Sequence, residues 1–146
     1  MTEFMYSSVS VGSRVKVEAG QAASILESMQ ARPAWDEVQV APLEFRLPVL
    51  QIAWRAPDGF VLHYFDDSQP FGDLLSQSMS LSQPAVFIDI GGQTQELWPR
   101  ELFVSFSLAE AGFEHFLTHG VRRPDLAWVG IGRFPRRTLA EKSKKH

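Results

Sequence analysis

Two histidines, His115 and His119, lie four residues apart in a segment whose apolar residues have helical spacing. On a helix this spacing places both imidazoles on one side, where together they could bind zinc. The zinc-protease pattern requires a glutamate directly after the first histidine, but that position is Phe116. His63 is distant in sequence and falls on a predicted strand, so it is a poor third ligand. We therefore predict no metal and no cofactor, and keep a histidine-based metal protein or small enzyme as the alternative hypothesis.

Other catalytic patterns are also weak. The chain has no cysteine, and none of its serines lies in the Gly-x-Ser-x-Gly turn of a hydrolase nucleophile. Asp66 and Asp67 are adjacent carboxylates at the end of a predicted strand, which is typical of a solvated turn. Gly91-Gly92 is followed by an extended stretch without basic residues, unlike a phosphate-binding loop. The sequence therefore predicts a protein that binds a partner and is not an enzyme.

Arginines and charge bear on what that partner is. Arg122-Arg123 could bind an anion, but such arginines more often pair with nearby acids, and we expect Arg123 to hold its turn together. The segment from Pro33 to Glu101 contains ten acidic and three basic residues, within a chain of net charge −3. Nucleic acid is disfavoured as a direct ligand, because phosphates need Lys and Arg on the contact face. The acidic segment favours a partner with a basic surface, or serves solubility alone.

Length and composition predict one domain. The chain has 146 residues, of which 45% are apolar, enough for a single core. We assign residues 1–132 to this domain and the basic residues 133–146 to a flexible tail. The lack of cysteine fits a reducing compartment. We find no secretory signal and no apolar run of the roughly 20 residues that cross a membrane. The expected location is therefore the cytoplasm.

The order of elements is β, α, several β, α, β, which predicts an α+β fold. We expect an antiparallel sheet of about five to seven strands with two packed helices. The first helix is predicted over Gly20–Gln30. The second is predicted to begin at Ser107, which forms a capping box with Glu110, and to end at Gly120.

Alternating apolar residues and turn residues mark the strands. The clearest hairpin pairs Pro48–Ala56 with Phe60–Phe65 across a Pro-Asp-Gly turn. Further strands are predicted near residues 13–18, 37–41, 85–92, 93–99, 102–107 and 126–132. Residues 1–10 and the polar segment 68–84 are predicted to lack regular structure.

From Gly59 to Ile131 the sequence resembles immunity protein family 1 of bacterial polymorphic toxin systems. The resemblance consists of an aromatic-rich strand, GFVLHYFDD, a glycine followed by a hydrophobic-proline pair, and a helix with a characteristic ending. The matching positions after the strand are Gly92, Trp98-Pro99, Ala109, Ala111, Phe116, Leu117, Thr118, Gly120, Arg123, Pro124 and Trp128. The chain departs from the pattern at His119 and at the inserted Val121-Arg122.

This resemblance implies a small cytoplasmic protein that neutralises a cognate toxin delivered between competing bacteria. Toxins paired with this family often target nucleic acid, as deaminases and nucleases do. Such a toxin has a basic substrate face, which an acidic inhibitor could cover. An adaptor domain of a secretion apparatus is a third interpretation.

The predicted contacts with the toxin are acids at the hairpin and the strand ends. They are chosen for their charge and expected exposure, and the resemblance does not assign them. These residues are Asp58, Asp66, Asp67, Asp73 and Glu96.

Overall fold

Antiparallel strands in two sheets make up most of the structure. The computed structural model describes residues 3–8, 14–44, 47–90, 94–132 and 137–138. In chain order the elements are β1 (Phe4–Ser8), β2 (Val15–Val17), α1 (Ala22–Gln30), β3 (Trp35–Pro42), β4 (Val49–Arg55), β5 (Gly59–Asp66), β6 (Gln69–Ser76), β7 (Val86–Ile90), β8 (Thr94–Trp98), a 3-10 turn (Arg100–Leu102), α2 (Phe106–His119), β9 (Ala127–Gly130) and β10 (Arg137–Thr138).

Within these residues the main sheet has seven strands in the order β2-β1-β3-β4-β5-β6-β9. A small sheet has the order β10-β8-β7. All neighbouring strands are antiparallel. With the two helices, this confirms the predicted α+β fold and its antiparallel sheet.

The two faces of the main sheet are buried by different elements, because successive side chains of a strand point to opposite sides. We call the face under α1 and α2 the inner face. It packs against both helices through a core that includes Leu50, Ile52, Phe60, Leu62 and Tyr64. The opposite, outer face packs against the small sheet through a second core that includes Val61, Leu74, Val129, Ile88 and Trp98.

The ends of α2 follow capping chemistry, although one prediction about them is wrong. The helix begins at Phe106, so Ser107 lies inside its first turn and does not cap it. The cap is Ser105, whose hydroxyl accepts a hydrogen bond from the Leu108 N–H at 3.3 Å. The predicted stop at Gly120 is confirmed, since this glycine is left-handed with φ of 73°.

The first turn of α1 is capped by a residue from the other helix. Gln21, at the N-cap position, makes no side-chain cap hydrogen bond. Instead the carboxylate of Glu114 on α2 accepts hydrogen bonds from the N–H groups of Gly20, at 2.8 Å, and Ala22, at 3.0 Å. The Ala22 N–H is one of the donors that a helix start leaves unsatisfied, and Gly20 directly precedes the N-cap residue. The two helices are therefore joined by a polar contact as well as by the core.

Removing this contact should weaken the fold measurably. We expect Glu114→Ala to lower the free energy of unfolding by about 1–2 kcal/mol, the usual cost of losing a helix cap. Urea denaturation followed by tryptophan fluorescence measures it. The matched control is Glu110→Ala one turn earlier, because Glu110 makes no hydrogen bond or ion pair among the described residues. Equal unfolding midpoints for the two variants would exclude Glu114 as a cap.

The predicted loop at 68–84 is wrong over its first half. Residues 69–76 form β6, which lies between β5 and β9. Leu74 and Leu75 are fully buried on opposite faces of the sheet. The polar residues that suggested a loop have partners inside the protein: the Ser76 hydroxyl donates to the Ser78 carbonyl at 2.6 Å, and Asp73 is paired with Arg122.

Three other segments also differ from expectation or fall outside the described chain. The segment 1–10, which was predicted to lack regular structure, contains β1. The Phe4 ring of this strand lies 4.8 Å from the Phe116 ring by centroids. The strand predicted at 102–107 is wrong, because a 3-10 turn and a single bridge between Val104 and Phe60 occupy that region. In the predicted tail, Arg137–Thr138 pair with β8. The other tail residues and Gly91-Gly92 lie outside the described residues.

Candidate functional site

The three candidate histidines lie on opposite sides of the main sheet. His63 is on β5 between Leu62 and Tyr64, which face α2, so its side chain points to the outer face. His115 and His119 are on α2, with ring centroids 4.4 Å apart. Among the described residues no group of three or more histidines or acids is placed to hold a metal ion. The three histidines therefore do not form one site.

Burial affects two of these histidines. It is the main cause that lowers the pKa of His63, although a hydrogen-bond contact of its Nε2 with the Phe71 carbonyl, at 3.1 Å, acts in the opposite direction. Burial also lowers the pKa of His115, and the nearby His119 and Arg123 add to this. Both rings therefore favour the neutral form more than a free histidine does.

The five acids proposed as partner contacts are not brought together. Asp58 precedes β5 and Asp66 ends it, so they are separated by roughly 25 Å of extended strand. Asp58 faces Arg100 at 3.6 Å. Glu96 lies on the small sheet, where its carboxylate accepts a hydrogen bond from the Trp98 indole at 2.6 Å.

Asp73 lacks the exposure that was expected of it. It is 6% exposed and points to the inner face, where it forms an ion pair with Arg122. The guanidinium of Arg122 lies 6.0 Å from the centroid of the Tyr64 ring. The expectation was wrong because its segment was taken for a loop, whereas it is an internal strand.

Asp66 and Asp67, although adjacent, have different environments. Asp66 accepts hydrogen bonds from the Tyr64 hydroxyl at 2.9 Å and from the hydroxyl and N–H of Ser68. Burial and this contact with Asp66 raise the pKa of Tyr64 to about 12. Asp67 is exposed and makes no hydrogen bond or ion pair among the described residues. Of the two, Asp67 is therefore free to meet a partner.

An exposed aromatic residue adjoins these acids. Phe71 is 78% exposed. It is the third residue of β6, whose first residue, Gln69, pairs with Asp66 across the turn. We call residues 66–71 the β5–β6 tip. Phe71 was not among the predicted contacts, because it lies in the segment that was predicted to be a loop. A lone phenylalanine among polar residues is the signal that could have identified it.

The arginine pair supports the chain turn after α2. Arg123 makes two hydrogen bonds to Asp125, at 2.7 and 3.1 Å, and its carbonyl accepts one from the Trp128 indole. The prediction that Arg123 holds this turn is confirmed. The hydrogen bonds between the two side chains, and secondarily their opposite charges, lower the pKa of Asp125 and raise that of Arg123.

A groove on the outer face is a further candidate. It lies over β3 and β4, beside Ile88 and Trp98 of the small sheet, and has a volume of about 520 Å³ when the solvent space open to it is included. We call it the outer groove. Its lining includes Trp35, Glu37, Gln51, Arg55, Ile88 and Trp98.

Two charged groups in the outer groove are poorly satisfied. The half-buried Glu37 carboxylate makes no hydrogen bond or ion pair among the described residues. Burial, and secondarily the negative charge of Asp36, raise its pKa. Arg55 is turned towards Phe87, with its guanidinium carbon 5.2 Å from the ring centroid, and its Nε is buried without a hydrogen-bond partner. Within the described part of the chain, the groove thus contains a carboxylate that lacks a counterion.

Neither helix of the described chain is long and apolar enough to cross a membrane. In comparisons with known proteins, the chain matches no family model, no curated protein and no solved structure.

Proposed function

We propose that this protein is an immunity protein, which neutralises a cognate bacterial toxin by binding it in the cytoplasm. The toxin has a basic surface and acts on nucleic acid, and the complex covers its active site. No chemistry by the immunity protein is needed. The proposal rests on the resemblance over Gly59–Ile131 and, in the structure, on one observation: the β5–β6 tip contains a highly exposed phenylalanine, Phe71, four residues after the exposed acid Asp67.

Phe71 is 78% exposed, more than any other large apolar side chain in the described part of the chain. Aromatic side chains often supply a large part of the affinity at protein interfaces, because they bury much area at small entropic cost. Phe71 is held on a paired strand, and its carbonyl contacts His63, so its backbone is already ordered before a partner arrives. This pre-organisation lowers the cost of binding.

Charge supports the same assignment. Asp67 provides a free negative charge within the same tip. The segment from Pro33 to Glu101, which contains the tip, has a large excess of acids. Complementary charge speeds the encounter of two proteins and orients them before contact. The histidine-based alternative lacks comparable support, since its three residues lie on opposite sides of the sheet.

The first experiment is growth rescue. Bacteria that express the toxin encoded beside this gene should survive when this protein is co-expressed, and a purified mixture should give a stoichiometric complex. Absence of both rescue and complex would overturn the proposal and favour an adaptor role.

With the complex in hand, Phe71→Ala should weaken it by about 2 kcal/mol, or roughly 30-fold, mostly through faster dissociation. Asp67→Lys should instead slow association, and more so at low salt. Surface plasmon resonance separates the two rates. Asp66 is left intact, because its hydrogen bonds support the turn.

Matched controls are available for both changes. Met79→Ala removes another exposed apolar side chain, 66% exposed, outside the tip. Glu27→Lys reverses an exposed charge on α1. We expect all four variants to unfold at nearly the wild-type midpoint. If the tip variants bind no differently from their controls, the tip is not the contact surface.

A further inference from the structure

We infer that the outer groove receives an arginine side chain from a protein partner, with the Glu37 carboxylate pairing with the guanidinium beside the Trp35 ring. The identity of that partner as a toxin rests on the proposed function. The chemistry of the groove does not, and it can be tested separately. The inference adds a second contact region on the outer face, distinct from the β5–β6 tip.

Strand β3 presents an aromatic ring and a carboxylate to the outer groove. Trp35 and Glu37 are two residues apart on one strand, so both side chains project from the same face. They pair in register with Arg55 and Ala53 of β4, and this places them on the open side of the groove. Trp35 is 46% exposed although it is a large aromatic residue. An incoming side chain therefore meets an indole face and a carboxylate together.

The Glu37 carboxylate has no partner of opposite charge among the described residues. It is half-buried without a hydrogen bond or ion pair in the described chain. Burial and the neighbouring Asp36 both disfavour its ionised form. A buried charge is costly unless it is paired. A cation that enters the groove would reverse this disadvantage, so the site is suited to a positive ligand.

The basic residues that line the groove, Arg55 and His63, do not neutralise Glu37. Arg55 is the nearest in the lining, but its guanidinium is turned to the Phe87 ring and makes no ion pair with Glu37. The pKa of His63, which also lines the groove, is lowered by burial, so its ring favours the neutral form. Asp36 projects to the inner face with Val38, so Glu37 is the carboxylate that faces the groove, and no described cation is paired with it. The groove therefore attracts a further cation.

The groove suits an arginine side chain better than a lysine side chain. A guanidinium is planar and can donate two hydrogen bonds to one carboxylate, while it stacks on an aromatic face. Tryptophan is the aromatic ring that attracts cations most strongly. An ammonium group would gain the charge interaction but not the flat stacking on Trp35. A partner with a basic surface offers such a side chain.

The test titrates N-acetyl-arginine N-methylamide into the ¹⁵N-labelled protein and follows the indole N–H signals of its four tryptophans by NMR. Trp35→Phe assigns the relevant signal. We expect the Trp35 indole to shift, with a dissociation constant of about 1–10 mM, as for a small fragment of an interface. The citrulline analogue, which has the same shape without the charge, should bind about tenfold more weakly or not at all.

Glu37→Gln should reduce arginine binding by about tenfold, because a neutral amide replaces the carboxylate. Glu27→Gln on α1 is the control and should bind as wild type does. Glu37→Gln should fold normally, since it removes a carboxylate whose charged form burial disfavours, and a urea midpoint at or above the wild-type value checks this. Equal shifts with arginine and citrulline, or unchanged binding in a folded Glu37→Gln, would overturn the inference.

The same variants separate this inference from the proposed function. If arginine binds selectively but the wild-type protein rescues no growth, the toxin assignment fails and the groove chemistry stands. If rescue is intact in the wild type but arginine does not bind, the groove inference fails alone. If both hold, Glu37→Gln should weaken the toxin complex, whereas Glu27→Gln should not.

Discussion

Arg122→Met should lower the free energy of unfolding by about 3 kcal/mol, because it leaves the Asp73 carboxylate buried without a counterion. Asp73 is 6% exposed, and its ion pair with Arg122 lies next to the Tyr64 ring. Methionine keeps most of the aliphatic volume of the arginine, so lost packing contributes little. Urea denaturation at neutral pH measures the effect.

Two further variants make the cause specific. Arg123→Met removes the neighbouring arginine, whose pair with Asp125 is exposed, and should leave the free energy of unfolding nearly unchanged. Adding Asp73→Asn to Arg122→Met should recover part of the lost stability, since no charge then stays buried. Similar costs for the two arginine variants, or no recovery in the double variant, would contradict the ion pair as the cause.

Phe116→Ala should have an effect of similar size, about 4 kcal/mol, because it opens a cavity in the inner core. The Phe116 ring is fully buried, 4.8 Å from the Phe4 ring and 6.1 Å from the Tyr64 ring by centroids. It therefore joins α2 to both β1 and β5. The free energy of unfolding by urea measures the overall cost.

The position of the cavity also predicts where the variant loosens. Amide hydrogen exchange in β1 should accelerate more than exchange in β4, which lies further from the cavity. Phe116→Leu keeps most of the volume and should cost about 1 kcal/mol. If β1 and β4 respond equally, the Phe4–Phe116 contact is not what holds the first strand.

Much of the fold could be predicted because its signals are local. The spacing of Phe113, Phe116 and Leu117 and the glycine at 120 mark α2, and the turn at Pro57–Gly59 marks the β4–β5 hairpin. Both features depend on residues close together in the sequence. The identity of the N-cap was missed by two residues, since Ser105 and Ser107 have the same chemistry and only the path of the backbone separates them.

The errors came from contacts between distant residues. β6 was taken for a loop because Asp73 looks solvated until it is paired with Arg122, which lies far along the chain. The cap of α1 is supplied by Glu114, 92 residues beyond Ala22. Neither partner could be identified from local pattern, because it is the folding of the sheet that brings them together.

The candidate site residues likewise differ in whether local sequence is enough to identify them. Asp67 could be selected from the sequence, since an acid in a turn after a strand is usually exposed. Glu37 could not, although its spacing from Trp35 and Gln39 places all three on the outer face of β3. Its partial burial depends on the small sheet, whose position over the outer face no local pattern predicts.

The sheet order has a consequence for how any partner can attach. Among the described residues, the main sheet ends on one side with the three residues of β2 and on the other with the four of β9. Short edge strands offer few free backbone groups, and Lys16 adds a charge to β2. Another chain that adds a strand, a common route to binding and to aggregation, would therefore find few backbone hydrogen bonds at either edge of the main sheet. We therefore expect a partner of the main sheet to be recognised through side chains, in the outer groove and at the β5–β6 tip.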